Sequence, residues 1–263
     1  MFLRPGLASK YIQGEIPSHG IEVDHPRETV AGPVREFRIH TAINAQTRSV
    51  DEGRLYAESG IYLTAAPVAP ASEKEGKPAK HPGDLEIAFE LTGLDEGETL
   101  PASMYLGGER RRVNITPAAG NTLLPQVNVP AGQKFLKLVL TTHGDFGSWV
   151  PQWLLPQGNI SDAGWVKEPA TGIEIRLRSA VVTGWDPLSG WDYAAKKPKP
   201  FRKLVRPGAV YLIELKDPAQ SGSLAHALWG ASLCPHGSQA KRDGFGQMIV
   251  AKTHILPSLK EPS

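Results

Sequence analysis

The stretch that most constrains the fold is Gly184–Leu215, GWDPLSGWDYAAKKPKPFRKLVRPGAVYLIEL. Pro198 and Pro200 rule out a helix through its middle, because each lacks an N–H and restricts the residue before it. The segment is therefore extended. Two Trp-Asp pairs, Trp185-Asp186 and Trp191-Asp192, open it in turn-rich sequence. A run of cations then follows with no acidic residue: Lys196, Lys197, Lys199, Arg202, Lys203 and Arg206. Arg206-Pro207-Gly208 makes a turn into an apolar strand, Val210–Leu215. An extended cationic segment flanked by aromatics and anchored by a buried strand suits a charged backbone laid across it. A solvated surface loop has the same composition.

That pattern of short strands and frequent turns extends over the whole chain. Glycine (27) and proline (23) make up about a fifth of its 263 residues, against an average of ~12%. The length suits one large domain or two small ones. The net charge of +2 says little about partners; the clustering of cations at Arg110–Arg112, Lys196–Arg206 and Lys241-Arg242 says more. One cysteine, Cys234, excludes an internal disulfide framework. No stretch nears the ~20 apolar residues that span a bilayer, and the first residues lack the apolar core of a secretory signal. A cytoplasmic protein without membrane contact is expected.

Punctuation by Pro5-Gly6, Ile16-Pro17, His25-Pro26 and Gly32-Pro33 predicts a turn-rich beginning. From Val34 the chain alternates, with Phe37, Ile39, Thr41 and Ile43 on one face and Glu36, Arg38, His40 and Ala42 on the other. That alternation predicts a half-buried strand with its cation and histidine on the wet side. Asn44–Arg48 turns the chain, and residues 51–56 lead into a second apolar segment, Ile61–Thr64. Ala66–Gly83, rich in Pro, Ala, Lys and Glu, reads as a flexible insertion within a single body covering 1–263.

Further strands are expected at Leu85–Leu91, Lys134–Thr142, Gly172–Thr183 and Gln247–Lys252. The double glycine Gly107-Gly108 marks a tight turn before Glu109–Val113. Ser223–Ala231 is the best helical candidate, with Ser221 or Ser223 as its cap. A glycine-rich loop, Gly237–Gly246, precedes the last strand. The expectation is a strand-rich α+β protein of about eight strands.

No CxxC, HExxH or EF-hand spacing occurs, and Cys234-Pro235-His236 supplies only two soft ligands. There is no GxSxG elbow and no P-loop. A metal-independent ribonuclease needs only an acid and a base, and His40, Tyr56 and Lys241 can be cast in those parts. Nucleic-acid binding is the other class. RNA recognition asks for cations, aromatic planes and glycines that let backbone amides approach. Tyr56, Trp191, Tyr193, Phe201 and Phe245 lie beside the cations Arg38, Arg110–Arg112, Lys196–Arg206 and Lys241-Arg242. Aromatics in such places also serve as ordinary core residues.

Taken in order, four landmarks resemble a known family: REFRIHTAINAQTRSVDEGRLYAES (Arg35–Ser59), YLGGERRRV (Tyr105–Val113), GWDYAAKKPKPFRKLVRPGAVYLIEL (Gly190–Leu215) and KRDGFGQMIVA (Lys241–Ala251). The series is similar to the third subunit of the Cmr effector complex of type III-B CRISPR systems, in the RAMP superfamily. The family's E-x-R strand corresponds to Glu36 and Arg38, and its T-x-x-x-x-E-G-x-L-Y continuation to Thr47, Glu52, Gly53, Leu55 and Tyr56. Its L-G-G-E-x-R turn falls at Leu106–Arg111, and its closing G-F-G at Gly244, Phe245 and Gly246. The order holds over about four-fifths of the chain.

The resemblance implies a RAMP fold with ferredoxin-like (RRM-like) elements, long loops and few short helices. Family members usually begin with a further segment, so the first ferredoxin-like domain is expected to be incomplete. The resemblance also implies a non-catalytic, cofactor-free subunit in antiviral defence. Such a subunit grips the 5′ tag of the CRISPR RNA and contacts the large polymerase-like subunit and the nearest RAMP backbone subunit. The residues expected at the RNA are Arg38, His40, Arg48, Arg54, Arg110, Arg111, Arg112, Lys196, Lys197, Lys199, Arg202, Lys203, Lys241, Arg242, Gly244, Phe245 and Gly246. Lys241, Arg242 and the Gly244–Gly246 loop are placed at the RNA backbone, with Arg38 and His40 lining the same groove. Two alternatives stand beside this: a RAMP endoribonuclease using His40 as general acid or base, and an assembly subunit whose basic run pairs with an acidic neighbour.

Overall fold

Alternating apolar residues between Gly/Pro turns build strands, and the computed structural model is dominated by them. It describes residues 2–3, 5–15, 29–30, 33–65, 87, 95, 97–107, 110–117, 128–192 and 194–253. The insertion expected at Ala66–Gly83 and nearly all of the strand expected at Leu85–Leu91 lie outside these. The chain divides into two compact units, Met1–Leu7 with Glu22–Leu124, and Ala8–Ile21 with Pro125–Ser263.

In the first unit β1 (Phe2–Leu3) pairs with β2 (Thr29–Val30), and α1 (Pro5–Gln13) follows β1, most of it counted in the second unit. Pro5-Gly6, expected as a turn, instead opens a helix, because the fixed φ of proline suits a first helical position whose N–H would go unused anyway. At the other end Gly14, at φ +76°, donates to Tyr11 O while Glu15 donates to Lys10 O at 2.8 Å, a glycine stop that satisfies the last carbonyls.

β3 (Pro33–Ile43) and β4 (Val50–Ala65) form one long antiparallel hairpin. The Asn44–Arg48 turn forms as expected, with Asn44 Oδ1 accepting from the amides of Gln46 and Thr47. β4 already begins at Val50 and runs unbroken through the apolar segment expected at Ile61–Thr64. The faces are also reversed. Phe37 and Ile39 are 73% and 78% exposed, while Glu36 and His40 are half-buried. Alternation says that two faces differ, not which one finds a neighbour. Here ion pairs gather on the polar face: Arg38 to Glu36 at 2.8 Å, His40 to Glu58 at 3.5 Å, and Arg111 to Glu36 at 3.7 Å. Arg111 belongs to a second hairpin, β5 (Ser103–Leu106) and β6 (Arg111–Asn114), whose turn includes Gly107 as anticipated.

The second unit is built on a five-stranded antiparallel sheet. Its strands are β7 (Phe135–Leu140), β8 (Val166–Lys167), β9 (Glu174–Val181), β14 (Val210–Leu215) and β15 (Met248–Lys252). Between β9 and β14 come β10 (Trp185–Leu188), β11 (Trp191–Asp192), β12 (Lys197–Pro198) and β13 (Arg202–Val205). The order across the sheet is β15-β7-β14-β9-β8. β7 and β9 thus run parallel with β14 antiparallel between them. Between β7 and β9 the chain is irregular apart from one short 3₁₀ turn, Ile160–Asp162, and the two-residue strand β8.

One face of the sheet is the core. Leu136, Leu138, Ile175, Leu177, Tyr211, Ile213, Leu215, Met248 and Val250 are buried, as are Leu224, Ala225 and Leu228 of α2 (Ser221–Leu228), which packs beside β15. Burying each large side chain is worth about 1.5–3 kcal/mol. The Tyr211 hydroxyl donates to Trp149 O at 2.8 Å, and burial pushes its pKa upward. Neither serine expected to cap α2 does so. The helix continues a 3₁₀ turn, Pro218–Gln220, which Asp217 caps, and the hydroxyl of the buried Ser221 donates to Pro130 O. Fifteen strands occur among the described residues rather than about eight, because the hairpins break into pieces as short as two residues.

Candidate nucleic-acid interface

The basic run is the returning half of an arm. β10 pairs with β13 and β11 with β12, so the Trp-Asp pairs expected in turns start strands instead. The prolines fit because these are two-stranded ribbons, where a missing N–H can face outward. At the tip Lys196 takes a left-handed conformation, φ +50°.

The base of the arm is knotted to the loop after β7. Gly144 and Val205 exchange backbone hydrogen bonds at 2.9 and 2.8 Å. On its other side the same loop holds the glycine-rich segment. The Thr142 hydroxyl donates to Gly244 O and accepts from Gln247 N, while Gly246 N donates to His143 O at 2.7 Å. Gly246 is obligatory: at φ +75°, a Cβ there would lie 2.7 Å from Cys234 Sγ. Cys234 is therefore packing, its thiol buried and its pKa raised chiefly by that burial. Gly244, at φ +81°, has open space around its Cα.

Three segments far apart in the sequence thus meet. Arg202 Nη1 donates to Asp145 Oδ2 at 2.6 Å and its guanidinium lies 5.8 Å from the Phe245 ring centre. His143 Nε2 is 2.9 Å from Asp186 Oδ2, and Arg206 donates to Asp186 Oδ1. The hydrogen bond from Arg206, followed by that from His143, holds the Asp186 carboxyl below its usual pKa. Lys203 Nζ stands 4.9 Å from the Trp185 ring, which meets Phe201 edge-on. Lys241 and Arg242 are exposed on α3 (Gln239–Arg242), a single turn whose cap, Ser238, accepts from Lys241 N. The arrangement is cations and aromatic rings on a backbone cross-braced by hydrogen bonds.

Of the residues singled out from sequence, Arg202, Gly244, Phe245 and Gly246 belong to this knot, with Lys203, Lys241 and Arg242 beside it. Lys196, Lys197 and Lys199 sit on the arm, all exposed. The first unit holds the rest. Arg38 and Arg111 share Glu36, and His40 faces Glu58. Arg48 is in the β3–β4 turn at φ +55°. Arg110 is in the β5–β6 turn at φ +53°, its guanidinium 5.1 Å from the Tyr105 ring centre. Arg112 donates to Ser103 Oγ. Arg54 lies on β4, but its side chain, like those of Tyr56 and Tyr193, is outside the described residues. His143, Asp145 and Asp186 were missed as site residues. Each becomes visible only where the arm folds against the loop after β7.

No helix among the described residues is long and apolar enough to cross a membrane. Nothing among the curated proteins matches the chain. The family model described as CRISPR-associated protein (Cas_Cmr3) matches residues 1–253, the span that carries both hairpins of the first unit, the arm and the glycine-rich loop. The chain belongs to the Cas_Cmr3 family, a Cmr3 subunit of the type III-B CRISPR complex.

Proposed function

We propose that this chain is a non-catalytic subunit that grips the 5′ tag of the CRISPR RNA and docks both the large polymerase-like subunit and a RAMP backbone subunit. The observation that carries the reading is the meeting of Arg202 and Phe245 beside the loop after β7, whose Asp145 holds Arg202. It joins the basic arm to the glycine-rich loop. A cation for phosphate, a ring for a base and an open glycine backbone are what a single strand needs from a protein. Lys241 and Arg242, one turn before the loop, add charge at the same place.

The test is a gel shift of the purified chain, alone and with the co-expressed large subunit, on 5′-tagged CRISPR RNA and a tag-scrambled control. Tag-dependent binding of intact RNA is expected. Lys241→Ala combined with Arg242→Ala weakens it and lowers the salt slope by about 0.7 for each phosphate no longer neutralised. Unchanged affinity and slope would sink the assignment. Metal-free cutting of the RNA that disappears in His40→Ala would establish the nuclease instead. RNA retention only within the complex would favour an assembly subunit.

A further inference from the structure

The face of the five-stranded sheet opposite the core carries a second constellation, unconnected with the knot. Its centre is Glu214, a carboxylate only 2% exposed, one residue before the end of β14. Three cations converge on it: Arg176 Nε donates to Oε2 at 2.6 Å, Arg178 lies 3.5 Å from the same oxygen, and Lys134 lies 3.3 Å from Oε1. Burial alone would raise the Glu214 pKa, but the hydrogen bonds from Arg176 and Lys134 leave it lowered.

Aromatic rings flank the cluster on both sides. Arg176 pairs with Glu214 and Glu214 with Phe135 across the sheet, and Trp165 stands one position before β8. The Arg176 guanidinium lies 4.7 Å from the Trp165 ring centre, and Lys134 Nζ lies 5.6 Å from that of Phe135. Trp165 keeps 37% of its surface in solvent, and the Arg178 and Lys134 side chains keep 42% and 48%.

A buried carboxylate needs a partner, and Arg176 alone supplies a short charge-assisted bond. Two further cations exceed that need and repel one another without a counter-charge. Glu214 gathers them into one net-positive patch beside an exposed indole. Cations for phosphates next to a flat ring for a base is the chemistry of single-stranded nucleic acid. An acidic protein surface would use the cations and leave the indole without a role.

We infer that this sheet face is a second RNA-binding surface, where Arg178 and Lys134 contact phosphates and Trp165 stacks a base. Glu214 and Arg176 are positioning residues that hold the cluster upright. The inference rests on the reading of the chain as RNA-binding but uses none of the residues of the knot.

The test titrates fluorescently labelled, guide-length single-stranded RNA with the purified full chain over a range of salt concentrations. Wild type is compared with Arg178→Ala, Lys134→Ala, Trp165→Leu and the Lys241→Ala/Arg242→Ala pair. Glu214 and Arg176 are left intact, and equal urea midpoints confirm that each variant is folded. Each cation variant is expected to lower the salt slope by about 0.7. Trp165→Leu is expected to weaken binding roughly fivefold or more with the slope unchanged. If the Lys241/Arg242 pair weakens binding and the sheet variants do not, this inference falls and the proposed function stands. If wild type binds no RNA, both fall. Sheet variants that lose affinity for poly-glutamate but not for RNA would mark the patch as a protein-binding surface and overturn the inference as well.

Discussion

Arg202 lies against Phe245 while its guanidinium is already held by Asp145, at 2.6 Å. The cation best placed for RNA is therefore restrained by an internal carboxylate. Replacing Asp145 with asparagine keeps an acceptor but removes the opposing charge, so RNA affinity should rise and the salt slope should steepen. Arg202→Ala should do the reverse, lowering the slope by about 0.7. Titrations at several salt concentrations decide the matter. Equal slopes in both variants would make Arg202 a purely structural cation.

Three residues other than glycine occupy left-handed backbone among the described residues: Arg48, Arg110 and Lys196. All three are long cations at hairpin turns, where glycine would be relaxed and each of these carries strain of roughly 1 kcal/mol. Strain kept at such positions points to the side chain as the reason. Arg48→Gly, Arg110→Gly and Lys196→Gly are each expected to hold or raise the urea midpoint while weakening RNA binding. A variant that gains stability and binds RNA as wild type does would remove that residue from the interface.

Gly244 and Gly246 look alike in sequence and differ in space. Both have positive φ, so alanine is strained at either. At Gly246 the new methyl also meets Cys234 Sγ and the Cys234 amide, whereas at Gly244 it meets nothing within 4 Å. Gly246→Ala should destabilise the second unit by a further 1–3 kcal/mol or so, the usual range for overpacking. Gly244→Ala should cost only about 1 kcal/mol of backbone strain. Urea denaturation of both variants measures the difference, and equal costs would contradict the packing described for this loop.

These glycines also mark the limit of what the sequence makes legible. The strands at 135–140, 174–181, 210–215 and 248–252 follow from alternation and proline/glycine punctuation, because both signals are local. The reversed faces of β3 are not local. Phe37 and Ile39 look like core until the ion pairs of Glu36 with Arg38 and Arg111 show which side acquired neighbours. The same holds for the site. Cations and glycines announce themselves by composition, so Arg202 and Phe245 were legible. His143 and Asp186 gain meaning only when the arm folds back against the loop after β7.

That last pairing gives the knot a pH dependence whose sign follows from its charges. Arg206, at the end of the arm, and His143, on the loop, both face the Asp186 carboxyl and hold its pKa below the ordinary value. In the window between the folded and unfolded values, the unfolded chain binds the extra proton, so stability rises with pH there. The contribution is complete above the unfolded carboxyl value of about 3.9 and disappears as pH falls through the lower folded value. Asp186→Asn removes this linkage. It should be less stable than wild type near neutrality, and the gap should close as acid protonates the wild-type carboxyl. Urea midpoints of both proteins at several pH values from about 6 down to about 2 test this. A gap that stays constant over the whole range would show that Asp186 acts through its shape and hydrogen bonds, with its charge contributing nothing to the closure of the arm on the loop.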